Sequence, residues 1–121
     1  MIDLPWPPAL NAYYRSVPGK GVLISAKGRA YRDRVSLLAL SQRWPRMGSA
    51  RISVLLVACA PDRRRRDLDG MLKALLDALT HAGIWDDDSQ IDDLRIVRGS
   101  EIVEGGKMLA EIVAMGDKKV L

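Results

Sequence analysis

Hydrophobic and polar positions sort this chain into about five short extended runs and two helices. Met1 to Trp6 is mostly apolar and reads as a first strand, stopped by Pro5, Pro7 and Pro8 because proline has no N–H for a sheet ladder. Pro18-Gly19-Lys20-Gly21 is a turn, followed by a short strand at Val22-Leu23-Ile24. Ser25 suits the N-cap of a helix over Ala26–Trp44, where Tyr31, Val35, Leu38 and Gln42 keep helical spacing. Leu37 and Leu40 widen its apolar face, and Pro45 ends it. The nearly continuous β-branched run from Arg51 to Ala60 predicts a central strand covered on both faces.

A second helix is predicted over Leu68–Ala82, with Leu68, Met71, Leu72, Leu75, Leu76 and Leu79 as its buried stripe. Asp69, Lys73, Asp77 and Thr80 share the opposite face. Asp67 suits its N-cap, Gly83 a left-handed C-terminal residue, and His81 a surface place in the last turn. Asp86-Asp87-Asp88 forms an acidic turn, Leu94–Glu101 a strand, Glu104-Gly105-Gly106-Lys107 a hairpin turn, and Lys107–Met115 the last strand before a polar tail from Gly116. The order is β, β, α, β, α, β, β. It predicts an α+β domain with a single mixed sheet of about four to five strands and two main helices packed on it. The strands flanking the second helix are expected to be parallel neighbours.

A length of 121 residues with 48% hydrophobic residues fits one domain over residues 1–121 with its own core. No apolar run approaches the roughly 20 residues of a membrane helix, and no signal peptide is expected. The single Cys59, inside an apolar run, reads as core and fits a reducing, cytoplasmic setting. The net charge of +4 conceals an asymmetry. Residues 1–66 hold 13 Lys or Arg against 3 Asp or Glu, and residues 67–121 hold 6 against 12. Such a division suits one region facing a polyanion and another holding cations, and equally two solvated faces whose charges pair off.

The chemistry concentrates between Pro61 and Gln90. Arg63, Arg64, Arg65 and Arg66 run directly into Asp67 and Asp69, Lys73 follows one helical turn later, and Asp88 arrives from the acidic turn. Guanidinium groups match phosphate oxygens and keep their charge, while close carboxylates suit a hard divalent cation such as Mg²⁺. Tyr14 and Arg15 are a further candidate for stacking on bases and holding phosphate, with Tyr13 beside them, or else for ordinary core packing. Lys73 belongs either to the reaction, against a phosphate, or to an Asp69–Lys73–Asp77 surface ladder. Asp87 is an alternative ligand beside Asp88.

At Asp67-Leu68-Asp69 the chain resembles the RusA family of Holliday-junction resolvases. The resemblance spans nearly the whole length: Leu4-Pro5-Trp6-Pro7-Pro8, Asn11, Tyr13-Tyr14-Arg15, Ala30-Tyr31-Arg32-Asp33, then Pro61-Asp62-Arg63-Arg64-Arg65-Arg66-Asp67-Leu68-Asp69, Lys73, Trp85, Asp87-Asp88, Gln90 and Gly105-Gly106. It implies a homodimeric, Mg²⁺-dependent endonuclease, with Mn²⁺ a substitute and no organic cofactor, that nicks four-way junction DNA symmetrically in recombination and repair. The metal-binding carboxylates then fall on Asp67, Asp69 and Asp88 and the required lysine on Lys73, while residue chemistry on its own puts Arg63, Arg64, Arg65, Arg66, Arg15 and Tyr14 on DNA. One residue departs from the pattern: Gly70 stands where the family usually has Asn. A broader flap or fork nuclease, and a non-catalytic branched-DNA binder, fit the same residues.

Overall fold

A computed structural model describes residues 1–116, so the tail predicted from Gly116 lies, beyond that residue, outside the described residues. The elements are β1 (Ile2–Pro5), α1 (Leu10–Tyr13), β2 (Tyr14–Val17), β3 (Gly21–Ile24), α2 (Ala26–Ser41), β4 (Ile52–Cys59), α3 (Leu72–His81), β5 (Ile91–Arg98) and β6 (Lys107–Ala114), with single 3-10 turns at Asp69–Met71 and Asp88–Gln90. The α+β class is as expected. The sheet is not single: β1-β6-β4-β5 form a four-stranded mixed sheet, and β2-β3 pair separately as a hairpin.

β4 is central, as its apolar run predicts, and lies parallel to β5 and antiparallel to β6. The expected parallel neighbours around the second helix are therefore present. The turn at Gly105-Gly106 makes no hairpin, because β5 and β6 flank β4 from opposite sides instead of pairing with each other. β4 is also covered on one face only. Ile52, Val54, Leu56 and Ala58 are buried under the helices, whereas Ser53, Leu55 and Val57 are half-buried on an open face. An apolar run signals burial without saying which face is capped within one chain.

Tyr31, Val35 and Ala39 of α2 meet Leu75, Ala78 and Leu79 of α3 and the β4 side chains in one core, completed by Trp85, Leu4 and Met108. Leu37 and Leu40, expected to widen the buried face of α2, are exposed at 67% and 65%. Ser25 caps α2 as predicted, its hydroxyl accepting from the Gly28 N–H at 3.0 Å. The helix stops at Ser41, three residues early. Arg43 turns left-handed (φ 53) and the residue before Pro45 is barred from helix.

The second helix is shorter than Leu68–Ala82. A 3-10 turn carries Asp69 and Gly70 before α3 begins, and Met71 is the N-cap of α3. Asp67 is not a side-chain cap. Its backbone carbonyl accepts from the Gly70 N–H at 3.3 Å, which leaves the carboxylate uncommitted. Gly83 takes the predicted left-handed conformation (φ +78), and Cys59 is buried. The last two strands are displaced or trimmed by a few residues: β5 starts at Ile91, not Leu94, and β6 ends at Ala114.

Candidate active site

β4 delivers the chain from Cys59 into a loop whose form is set by four contacts. Asp62 accepts from the Arg66 guanidinium at 2.7 Å and from the Arg64 N–H at 2.9 Å. The hydrogen bond from Arg66, then that from Arg64, pulls the Asp62 carboxyl down to about 2. The Arg66 guanidinium lies 5.8 Å from the centre of the Trp6 ring, within cation–π range. Arg98, at the end of β5, donates to the Arg66 carbonyl at 2.7 Å. Arg66 is thus half-buried and structural, while Arg63, Arg64 and Arg65 are exposed. The predicted arginine set divides into one that shapes the loop and three that face solvent.

Trp6 itself is held from its other contacts by Gly106. A Cβ there would come within 2.9 Å of the Trp6 ring and 3.0 Å of Pro61, and the backbone is left-handed (φ +71). Only glycine satisfies both demands without displacement. Trp6 and Gly106, which the sequence reads as strand and turn with no role at the site, therefore form the support of the arginine loop.

Asp67 follows, on the wall of a cleft of about 480 Å³ that Trp6, Asn11, Arg65, Arg66 and Gly70 also line. Asp67, Asp69 and Lys73 are exposed. Among the described residues the ion pairs are Arg32–Asp77, Arg51–Asp92, Arg64–Asp62, Arg66–Asp62 and Arg95–Asp93. None involves Asp67, Asp69, Lys73 or Asp88, so the Asp69–Lys73–Asp77 ladder does not form. Asp77 is used elsewhere. It accepts a short hydrogen bond from the Tyr13 hydroxyl and pairs with Arg32, whose guanidinium also meets His81 Nδ1 at 2.5 Å. Burial, then the bond to Asp77, pushes the Tyr13 hydroxyl well above its ordinary range.

Asp88 stands at the other end of the sheet. Ile91 pairs with Ile52 at the start of β4, and Arg51 donates to the Ser89 carbonyl at 3.1 Å. Gln90, buried, ties the same turn to the Gly48 and Ala50 carbonyls at 2.8 and 2.6 Å. Asp67 leaves from the Cys59 end. The eight residues of β4 separate the two edges by ~23 Å at the usual rise of a strand. Among the described residues no group of three or more His, Cys, Asp or Glu side chains could hold a metal ion. The donor chemistry of Asp67, Asp69 and Asp88 suits Mg²⁺. Their placement within one protomer does not. Asp87 has a different use: it caps the 3-10 turn, accepting from the Ser89 N–H at 3.0 Å, which lowers its pKa. Asp92 and Asp93 pair with Arg51 and Arg95.

Tyr14 and Arg15 open the β2–β3 hairpin. Tyr13 is fully buried and packs edge-on against half-buried Tyr14 at 4.9 Å, while Arg15 is exposed on the hairpin. The pair is therefore divided between core packing and an accessible cation. The hairpin's root is fastened to α2, because the Ser25 N–H donates to the Tyr13 carbonyl at 2.9 Å.

Residues 5–108 match the family model described as Endodeoxyribonuclease RusA. The chain belongs to the RusA endodeoxyribonuclease family. It is 44% identical over 118 residues to the crossover junction endodeoxyribonuclease RusA of Shigella sonnei, covering 97% of this chain and 96% of that one. The Escherichia coli K12 protein of the same name is 43% identical over the same shares. The phage HK97 relative is 42% identical over 112 residues, or 93% of this chain and 92% of its own. The RusA match thus takes in the arginine loop, the cleft and the Asp88 turn together. Among the described residues no helix is long and apolar enough to cross a membrane.

Proposed function

We propose that this protein is a crossover junction endodeoxyribonuclease that resolves four-way DNA junctions by paired, symmetric nicks and requires a divalent cation, Mg²⁺ or Mn²⁺. The observation that carries this reading is the coincidence of the RusA match over residues 5–108 with Asp67, Asp69 and Lys73 left exposed and unpaired beside three exposed arginines.

The separation of Asp88 from Asp67 and Asp69 favours a homodimer in which each site is shared. Two copies related by a two-fold axis lying across the strands exchange sheet edges, so the Cys59 edge of one meets the Ile52 edge of the other. Asp67 and Asp69 would then stand beside Asp88 of the partner subunit. The open sheet face suits that contact: Leu55, Val57 and Leu109 are half-buried there, and Val97 and Val113 are 46% and 48% exposed. Arg95 and Glu111 lie among them, which allows opposite charges to meet across a self-complementary interface.

Asp67 and Asp69, with Asp88 of the partner subunit, would hold the divalent ion, which would supply an activated water and stabilise charge on the phosphate oxygens. Arg63, Arg64 and Arg65 bind and orient the backbone on either side of the cut. Lys73, one turn past Asp69, meets the scissile phosphate and stabilises the negative charge that develops on it. Arg15, carried by the hairpin, holds a more distant phosphate.

The test is nicking of a synthetic four-way junction, with linear duplex of the same sequences alongside, with and without Mg²⁺. Paired, Mg²⁺-dependent nicks confined to the junction, and lost in Asp67→Asn, are expected. Equal cutting of linear duplex would point to a broad nuclease, and metal-independent binding with no nicks to a branched-DNA binder.

A further inference from the structure

On the far side of the Arg66–Trp6 stack from Asp67 lies a second cavity, of about 290 Å³. Its rim carries Arg63, Arg64, Arg66 and Arg98 with Ser100, and Trp6 and Ile102 contribute apolar surface. Four guanidinium groups face one carboxylate there, and that carboxylate, Asp62, is already taken by Arg66 and Arg64. The excess positive charge cannot be relieved by deprotonation, since arginine keeps its proton in proteins. An anion is the group that completes such a site.

Arg98 shows that the site is built rather than incidental. It comes from β5, thirty-two residues from the loop, and its Nη2 is fixed by the Arg66 carbonyl. One nitrogen bonded leaves the other guanidinium donors pre-oriented. Gly99 permits the approach: a Cβ there would fall 2.8 Å from Cys59 Sγ, so only glycine lets the end of β5 lie this close to β4 and bring Arg98 and Ser100 to the rim.

We infer that this cavity is a second phosphate subsite, in which Arg98 and Ser100 join Arg63 and Arg64 to hold one phosphodiester of the bound strand while its sugar or base rests on Trp6 and Ile102. Resting on the junction-nuclease reading, it assigns Arg98 and Ser100 to DNA and makes the Arg66–Trp6 stack a divider between the cutting cleft and a neighbouring nucleotide. A free nucleotide monophosphate offers the same phosphate chemistry, and the test separates the two sources.

Binding of a four-way junction is measured in EDTA across a salt series for the full-length protein, for Arg98→Gln, and for Ser100→Glu, which adds a charge without removing any bond in the structure. Thymidine monophosphate is a competitor in a parallel arm. Arg98→Gln is expected to lower affinity on the order of tenfold. It should reduce the slope of log K against log salt by about 0.9, the share of one phosphate contact on duplex DNA. Ser100→Glu should weaken binding comparably with an unchanged unfolding midpoint. Thymidine monophosphate should compete only at concentrations far above those of the junction. Variants that fold and bind with the wild-type slope would overturn the subsite while leaving the nuclease reading intact. A wild type that binds no junction would overturn both. Tight competition by thymidine monophosphate, abolished by Ser100→Glu, would reassign the cavity to a free nucleotide and also overturn the proposal.

Discussion

Gly70 stands where the family resemblance leads one to expect asparagine, and its surroundings are permissive. A Cβ added there meets nothing within 4 Å, and the backbone is not among the left-handed glycines. An asparagine amide would enter the cleft that Asp67 and Asn11 line, able to donate to a carboxylate or a phosphate. Gly70→Asn is therefore expected to raise the nicking rate on junction DNA while changing stability by no more than ~0.5 kcal/mol; equal rates would show the amide dispensable in this chain. Gly106 is the opposite case. Gly106→Ala forces a left-handed backbone on alanine and a collision with Trp6, and should cost ~1–3 kcal/mol in urea unfolding. Junction affinity should fall with it, because Trp6 supports Arg66. At this scale the sequence was most legible where a residue's use is chemical. The string from Asp62 to Asp69 announces phosphate and cation. It does not announce that Arg66 turns inward, because that depends on Asp62 four residues earlier and on Trp6 sixty positions away.

The arginine loop behaves as an element in its own right, locked by a carboxylate instead of a backbone ladder. Asp62 titrates at about 2 in the fold against about 3.9 for an unperturbed aspartate. A carboxyl whose pKa is depressed by folding stabilises the folded loop above its unfolded value and loses that contribution as pH falls through the folded one. The loop should hold its form from neutral pH to about pH 4 and loosen from there to about pH 2. The Trp6 indole resonance is the reporter: it should be constant above that window and shift within it, and Asp62→Asn should abolish the shift. A second element-level test concerns the hairpin. Tyr13→Phe removes the donor to Asp77 and should cost about 1–2 kcal/mol. It should also weaken junction binding through Arg15 on the adjoining strand. Helices and long strands were legible here because periodicity over eight or more residues outweighs local noise. The β2–β3 hairpin was half missed because Tyr14–Val17 is only four residues long and mixes apolar with polar ones. The turn at Gly105-Gly106 looked like a hairpin because turn chemistry fixes a local reversal, while partner choice is set by the whole sheet.

For the molecule as a whole, the decisive distance is the length of β4. The sequence brings Asp67, Asp69 and Asp88 to notice as one ligand set, yet spacing along a chain does not reveal which edge of a sheet each turn occupies. The parallel pairing of β4 and β5 puts Asp88 at the starting edge and Asp67 at the finishing edge. Within one protomer the fold does not bring these carboxylates together, whereas the proposed two-fold partner would do so twice. A shared site makes a prediction that a self-contained one does not. Asp67→Asn and Asp88→Asn should each be inactive alone. Mixed and allowed to exchange subunits, a heterodimer carries one site with both lesions and one with neither. Activity should therefore reappear, as single nicks instead of paired ones, because only one intact site remains per dimer. Mixing Asp67→Asn with Asp69→Asn should restore nothing, since every site in that heterodimer keeps a lesion. No recovery in the first mixture, once subunit exchange is demonstrated, would show that each protomer assembles its site by rearranging within its own chain, and recovery in the second would assign Asp67 and Asp69 to different sites.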